Sequence, residues 1–149
     1  MESIVQTVLA RAAEFQGFLP IEDLDMQITA YQSGQQYVPH YDWFLEPGRT
    51  TNRLSTFFAI LDADCQDCGT QFPNVYVDWS ERDPRWCEYV DCSKEVLTTK
   101  IVAGSALYWR NLDSNGQGRR DTLHAGLPVL NGSKIGLNIW TDTIVPLLD

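Results

Sequence analysis

The run His124-Ala-Gly-Leu-Pro-Val-Leu-Asn-Gly-Ser-Lys134-Ile-Gly-Leu-Asn-Ile-Trp140 reads as two strand-like pieces parted at Asn131-Gly132. Asn-Gly tolerates the positive backbone angles of a tight hairpin, so the spacing predicts a hairpin with a return strand over Ile135 to Trp140. The same pattern recurs outward from this run. Met26 to Tyr31 alternates and is rich in Ile, Thr and Tyr, and Leu54 to Leu61 is a continuous apolar run fit for a central strand covered on both faces. Lys100 to Val102, Ala106 to Trp109 and Leu123 to Ala125 are further short strands, set off by turn clusters at Glu46-Pro-Gly48 and Asp113-Ser-Asn-Gly116. Ahead of them, Ser3 to about Gln16 reads as a helix. Ile4, Val5, Val8, Leu9 and Ala12 form one apolar stripe, and Gly17 is a natural stop. One helix followed by many short strands predicts a mainly β fold with an N-terminal helix: a double-stranded β-helix, or jelly roll, whose mouth can hold a ligand. We find no repeat, no low-complexity run and no second domain, and expect one domain over residues 1–149.

The chain's two histidines, His40 and His124, stand out against this background, because His40 belongs to a His40-Tyr41-Asp42 triplet. Two imidazoles and one carboxylate make the three-point set that holds Fe(II) and leaves neighbouring positions open, as O2 and a chelating cosubstrate require. Residues i and i+2 of a strand share a face, so a strand through His40 and Asp42 would aim both at one ion, with His124 reaching in from another strand. A lone histidine is more often a satisfied polar residue than a ligand. Here the third feature is Lys134, ten residues after His124 on a strand expected to face inward. A buried lysine is costly unless it meets an anion, and the distal carboxylate of 2-oxoglutarate, whose other end chelates iron, is a suitable one.

At this point the sequence resembles a known family, the catalytic domain of the prolyl 4-hydroxylases, which are 2-oxoglutarate- and Fe(II)-dependent dioxygenases. Five segments carry the resemblance, in order from about Leu9 to Thr141. They are Tyr31-Gln-Ser-Gly-Gln-Gln-Tyr37-Val-Pro-His40-Tyr-Asp42; Arg53-Leu-Ser-Thr-Phe-Phe-Ala-Ile-Leu; Cys68-Gly-Thr-Gln-Phe-Pro73; Ala103-Gly-Ser-Ala-Leu-Tyr-Trp109; and Asp121-Thr-Leu-His124-Ala-Gly-Leu-Pro-Val. The resemblance implies His40, Asp42 and His124 as metal ligands and catalytic residues, and Lys134, Tyr31 and Thr70 around 2-oxoglutarate. It implies Tyr37, Trp140 and Arg53 toward the prime substrate, although aromatic residues in short strands are more often core. It also implies hydroxylation of a peptidyl proline at C4, with O2 consumed, succinate and CO2 released, and ascorbate as reductant. Asp42 itself argues for hydroxylation, because halide-transferring relatives of this chemistry lack the carboxylate. Trp43, Trp79, Trp86 and Trp109 are read as structural. The chain departs from the family pattern at Leu127, Ile135 and Cys68, where Cys, Trp and Gly are usual. These positions are expected on the substrate side, touching neither metal nor lysine, and they leave the acceptor open. The alternatives are a free amino acid or small metabolite in place of a peptide or protein, and a non-catalytic jelly-roll binding module, which would be expected to lose a ligand or the lysine.

Composition bounds these readings. The net charge of −9, from 20 acidic and 11 basic residues, argues against nucleic acid or an anionic membrane as partner, since both need clustered Lys and Arg. No apolar run is long enough to span a bilayer, and the first residues, with Glu2 and Arg11, do not resemble a signal peptide. The chain starts almost directly in its helix, so a missing leader or flanking segment is expected. Cys65, Cys68, Cys87 and Cys92 all fall in the irregular stretch from Asp62 to Ser93. Three readings stay open for them: disulfides in a secretory or extracellular setting, free thiols in the cytoplasm, or zinc. The first predicts at least one disulfide, with a link across about twenty residues tying the stretch down. The stretch is either a stapled surface excursion or a lid over the site. Asn131-Gly-Ser133 is a formal N-glycosylation acceptor as well as a turn.

Overall fold

The structure is a computed structural model and describes residues 3–17, 24–46 and 48–144. Helix α1 spans Ile4–Gln16, in agreement with the apolar stripe. Ser3 caps it reciprocally with Gln6: the Ser3 hydroxyl accepts from the Gln6 amide (3.2 Å), and the Gln6 side chain accepts from the Ser3 amide (3.1 Å). Gly17, at φ 75°, ends it by donating back to the Ala13 carbonyl.

Among the described residues, eight strands form two antiparallel four-stranded sheets, and the jelly-roll expectation holds. The first sheet runs β1 (Leu24–Gln32), β8 (Ser133–Ile144), β3 (Thr51–Ala63), β6 (Ala106–Arg110). The second runs β2 (Tyr37–His40), β7 (His124–Gly126), β4 (Thr70–Tyr76), β5 (Val96–Thr98). The period of two along β8 divides its labour. Leu137 and Ile139 pack under α1 with Ala12, Val8, Leu9, Met26 and Phe57, while Lys134, Asn138 and Trp140 line a cavity on the opposite face. β3 does the same. Phe57 and Ala59 meet the helix side, whereas Phe58 lines the cavity, as does Arg53 across a bulge between Arg53 and Ser55, so both faces of the run from Leu54 to Leu61 have apolar work to do. The end of α1 is fixed by Gln16, whose buried amide oxygen accepts from Ser55 (2.6 Å) and Thr141 (3.1 Å) on the two central strands.

The structure departs from the sequence reading at three places. The strand expected at Lys100 to Val102 lies earlier, at Val96–Thr98, and the chain leaves the second sheet where the Thr99 amide bonds the Thr70 carbonyl. Five of the seven residues from Val96 to Val102 are β-branched, spread over its whole length, so composition could not place the register. The Asn131-Gly132 turn is not a hairpin. β7 is already flanked by β2 and β4, and β8 by β1 and β3, so the turn carries the chain from one sheet to the other. Gly132 (φ 82°) is required there, because a Cβ would fall 2.4 Å from the Asp64 carboxylate, which accepts from the Ser133 amide. Finally, the cysteines form two local disulfides, Cys65–Cys68 and Cys87–Cys92, with no free thiol among the described residues. No link spans about twenty residues. The stretch is instead built from β4 and two short 3₁₀ turns, Trp79–Glu81 and Pro84–Glu88, capped by Asp78 and Asp83. Residues 79–93 do not line the central cavity, in keeping with the stapled surface excursion.

Trp43 illustrates how tightly the second sheet's end is closed. Its ring is buried, its Nε1 donates to the Arg119 carbonyl (3.1 Å), and an ideal Cβ on Gly118 would lie 2.2 Å from two of its ring carbons. We therefore expect Gly118→Ala to lower the unfolding free energy by about 1–3 kcal/mol through overpacking, measured by urea titration.

Candidate active site

A cavity of about 430 Å³ opens between the sheets, and all nine residues singled out above line it: His40, Asp42, His124, Lys134, Tyr31, Thr70, Tyr37, Trp140 and Arg53. His40 ends β2 and His124 begins β7, and the two are directly opposite in the antiparallel pair. Each ring turns its Nδ1 to the carbonyl two residues earlier, His40 to Val38 (2.8 Å) and His124 to Thr122 (2.9 Å). A carbonyl only accepts, so each Nδ1 carries the proton and each Nε2 presents a lone pair to the cavity. Both lone pairs face one oxygen: Asp42 Oδ1 lies 3.6 Å from His40 Nε2 and 3.8 Å from His124 Nε2. The ligand atoms of the three residues all fall within 4.8 Å of one another, the spacing that one bound cation needs.

Asp42 reaches this position differently from the strand argument. β2 stops at His40, and Asp42 sits in the bend that follows, so side-chain alternation along a strand is not what aims it. A buried hydrogen-bond chain does that. Trp109 Nε1 donates to Asn111 Oδ1 (2.8 Å), Asn111 Nδ2 to Thr56 Oγ1 (2.8 Å), and Thr56 Oγ1 to Asp42 Oδ2 (2.7 Å). Oδ2 is thereby occupied and Oδ1 left for the cavity. Trp109 also sets its ring edge-on to His124 at 4.9 Å, so it touches one histidine while steering the carboxylate. Thr56, Asn111 and this role of Trp109 escaped the sequence reading. The available signal was the Ser55-Thr56 pair inside the otherwise apolar run Leu54 to Leu61.

Protonation states suit a cation. Burial lowers the His124 pKa below its ordinary 6.5, against the opposing pull of Asp42, and keeps the ring neutral. Burial alone would raise Asp42. Its neighbours His40, His124 and the Thr56 hydroxyl together outweigh that and hold it below 3.8. At the inner end, Lys134 is 2% exposed, and burial pushes its ammonium down to about 8. Its Nζ donates to the Cys68 carbonyl and lies 5.2 Å from the Tyr31 ring centroid. Burial raises the Tyr31 phenol, which stays a donor. Thr70, buried at the start of β4, completes this corner.

The substrate-side expectations change in part. Trp140 is buried at 7% exposure, and the Arg53 guanidinium covers its face at 3.8 Å, so it is not an open platform for a ring. Arg53 also approaches Phe44 (5.0 Å) and donates to the Asp42 carbonyl (3.4 Å). Tyr37, half exposed and 4.2 Å from the His40 ring, remains an outer wall. Neither Leu127 nor Ile135 lines the cavity, and Cys68, expected to stand clear of the lysine, holds it.

Residues 26–142 match the family described as the 2OG-Fe(II) oxygenase superfamily. The chain belongs to this superfamily. Among curated relatives of this oxygenase, Prolyl 4-hydroxylase 5 of Arabidopsis thaliana is 33% identical over 144 residues, covering 93% of this chain and 48% of that protein. Prolyl 4-hydroxylase subunit alpha-3 of Homo sapiens is 31% identical over 121 residues, covering 77% of this chain and 19% of the other. The chain spans about half the length of the first curated relatives it matches. In structure it is similar to the viral collagen prolyl hydroxylase vCPH from Paramecium Bursaria Chlorella virus-1 in its 2OG complex. The TM-score is 0.70 at 21% identity, covering 96% of this chain and 74% of that one. The resemblance to prolyl 4-hydroxylases and the oxygenase fold are thus both borne out.

The titrations have a testable sign. Below 6.5 the unfolded chain takes up a proton that folded His124 resists, so the metal-free oxygenase should lose stability as pH falls beneath that value. Asp42, held below 3.8, should add a second loss beneath that pH. Urea titrations between about pH 5 and about pH 7.5 should show a shallower pH dependence for His124→Gln than for the parent.

Proposed function

We propose that this chain is an Fe(II)- and 2-oxoglutarate-dependent dioxygenase domain that hydroxylates prolyl residues of a peptide or protein at C4. The observation that carries the reading is one cavity holding two imidazole Nε2 atoms around Asp42 Oδ1 and, at its inner end, a buried lysine with no acidic partner among the described residues. His40, Asp42 and His124 would hold the iron, which when bound supplies the coupling of O2 and 2-oxoglutarate consumption to C–H hydroxylation, with ascorbate as reductant. Each histidine keeps its ligating nitrogen unprotonated through its carbonyl partner, and Thr56 keeps Asp42 from rotating. Lys134 receives the distal carboxylate of 2-oxoglutarate, with the Tyr31 phenol and the Thr70 hydroxyl beside it. Tyr37 offers an aromatic wall to an extended proline-containing segment, which arrives at low entropic cost because polyproline II needs no internal hydrogen bonds. Arg53, clamped on Trp140, borders the same approach with a fixed positive charge. The two disulfides support a secretory or extracellular setting.

The test is mass spectrometry of proline-rich peptides incubated with enzyme, Fe(II), ascorbate and 2-oxoglutarate. A gain of one oxygen on proline is expected, and succinate formation stimulated only by free amino acids or other small compounds would overturn the peptide assignment. His124→Ala should abolish turnover. Lys134→Ala should weaken 2-oxoglutarate binding by about 2–5 kcal/mol, at least ~30-fold, as measured by calorimetry, with Fe(II) affinity unchanged.

A further inference from the structure

We propose that the Cys65–Cys68 disulfide sets the affinity for 2-oxoglutarate by fixing the backbone carbonyl that positions Lys134. The inference rests on the reading of Lys134 as the cosubstrate anchor. Among the described residues, the only hydrogen-bond partner of the Lys134 ammonium is the carbonyl of Cys68. That carbonyl belongs to the last residue of the four-residue stretch Cys65-Gln66-Asp67-Cys68, which the disulfide ties end to end. Within the turn, Asp67 adopts φ 53°, the only positive φ of a non-glycine residue among those described. An aspartate tolerates this conformation at a cost, and a covalent closure holds it.

The chain beyond the turn has no slack to absorb a change. Gly69 runs so close to Thr99 that an ideal Cβ would lie 1.7 Å from its carbonyl oxygen, and the Gly69 carbonyl accepts from the Leu127 amide (2.9 Å). Movement released by opening the disulfide therefore falls on Cys68 itself. The half-cystines also pack behind the anion corner. Cys65 and Cys68 pack with Val129 as a buried cluster, and Tyr31 lies against it. One covalent bond thus supports both the lysine and the phenol that face the same carboxylate. The unrelated Cys87–Cys92 pair lies in the surface excursion and touches neither.

Cys65 borders a surface depression of about 330 Å³, which gives a small reductant a route to the bond. A dithiol that donates two electrons and two protons leaves thiols at Cys65 and Cys68 and becomes a disulfide itself. The reduced turn relaxes, the Cys68 carbonyl shifts, and the ammonium loses its fixed position. Cosubstrate affinity then follows the redox state of this one pair, while the metal ligands, carried by β2, the following bend and β7, keep theirs.

The experiment uses a Cys87→Ser/Cys92→Ser background, so that a reductant acts on one disulfide only. Anaerobic calorimetry on this protein gives the Kd for Fe(II) and, on the Fe(II)-loaded form, for 2-oxoglutarate. Three states are compared: oxidised, reduced with dithiol and desalted, and reoxidised; Cys65→Ser in the same background is the genetic counterpart. The expected result is a Kd for 2-oxoglutarate raised about 10-fold or more on reduction and in Cys65→Ser, an unchanged Kd for Fe(II), and full recovery on reoxidation. An unchanged Kd for 2-oxoglutarate, with both thiols verified free by alkylation, would overturn the proposal. A parallel loss of Fe(II) affinity would also overturn it, because the bond would then serve general stability. If Lys134→Ala in the oxidised background binds 2-oxoglutarate as tightly as its parent, the anchor reading itself fails, a result separable from the other two.

Discussion

The hydrogen bond from Thr56 to Asp42 is the contact on which the site's architecture turns. A carboxylate 4% exposed is a costly thing to bury, and it persists only with partners that favour its charged form. The chain Trp109–Asn111–Thr56–Asp42 supplies them from the first sheet, reaching from edge strand β6 through β3 to the bend after β2. This chain commits the inner face of β3 to polar work at its centre. The apolar gain that holds the strand must then come from its other face, and it does: Phe57 and Ala59, with Leu137 and Ile139 of β8, bury under α1. Helix and cavity are therefore two sides of one arrangement. Without a helix to cover the outer face, the central strands could not spare their inner face for charged groups.

β8 shows how far a two-residue period can carry function. Lys134, Asn138 and Trp140 enter the cavity at steps of the pleat, so one straight strand places an anion partner at the inner end and an indole near the mouth. Pairing with β1 and β3 along its length keeps those steps in register. At Gly136, between Lys134 and Asn138, an ideal Cβ would lie 2.5 Å from the Phe58 ring, so the strand omits a side chain where β3 needs the room.

Much of this was legible in the chain itself. The apolar stripe before Gly17, the alternation of Met26 to Tyr31 and the run at Leu54 to Leu61 each name an element, and each element is found there, although Ile4, Val5, Ile28 and Leu61 are exposed. The metal-ligand set was legible because few residue types do that chemistry and the chain has only two histidines. What escaped depends on partners distant in sequence. The sequence pattern aimed Asp42 by strand alternation; the structure aims it by a bend and by Thr56, which sequence alone cannot pair with it. Asn131-Gly132 has hairpin chemistry, yet a turn does not reveal whether its flanking strands already have neighbours. Trp140 looked like an open wall because nothing in the sequence places Arg53 on its face. The cysteine pairing was open for a similar reason: spacing allows both local and long links, and the turn at Asp67 favours the local one.

Asp42 and Lys134 make the strongest case for what the cavity is built to hold. They carry opposite charge, both are buried, and both line one space, yet they do not pair with each other. Asp42 Oδ1 faces the two neutral imidazoles, and Lys134 is met by a neutral carbonyl. Had stability alone shaped the cavity, closing the two into a salt bridge would have relieved both desolvation costs at once. Keeping them apart leaves a cation-seeking end and an anion-seeking end at fixed separation. A ligand that chelates a metal at one end and carries a carboxylate at the other satisfies both together, and 2-oxoglutarate has that form. The lysine's pKa of about 8 belongs to this logic, since an arriving carboxylate returns the stabilisation that burial removed.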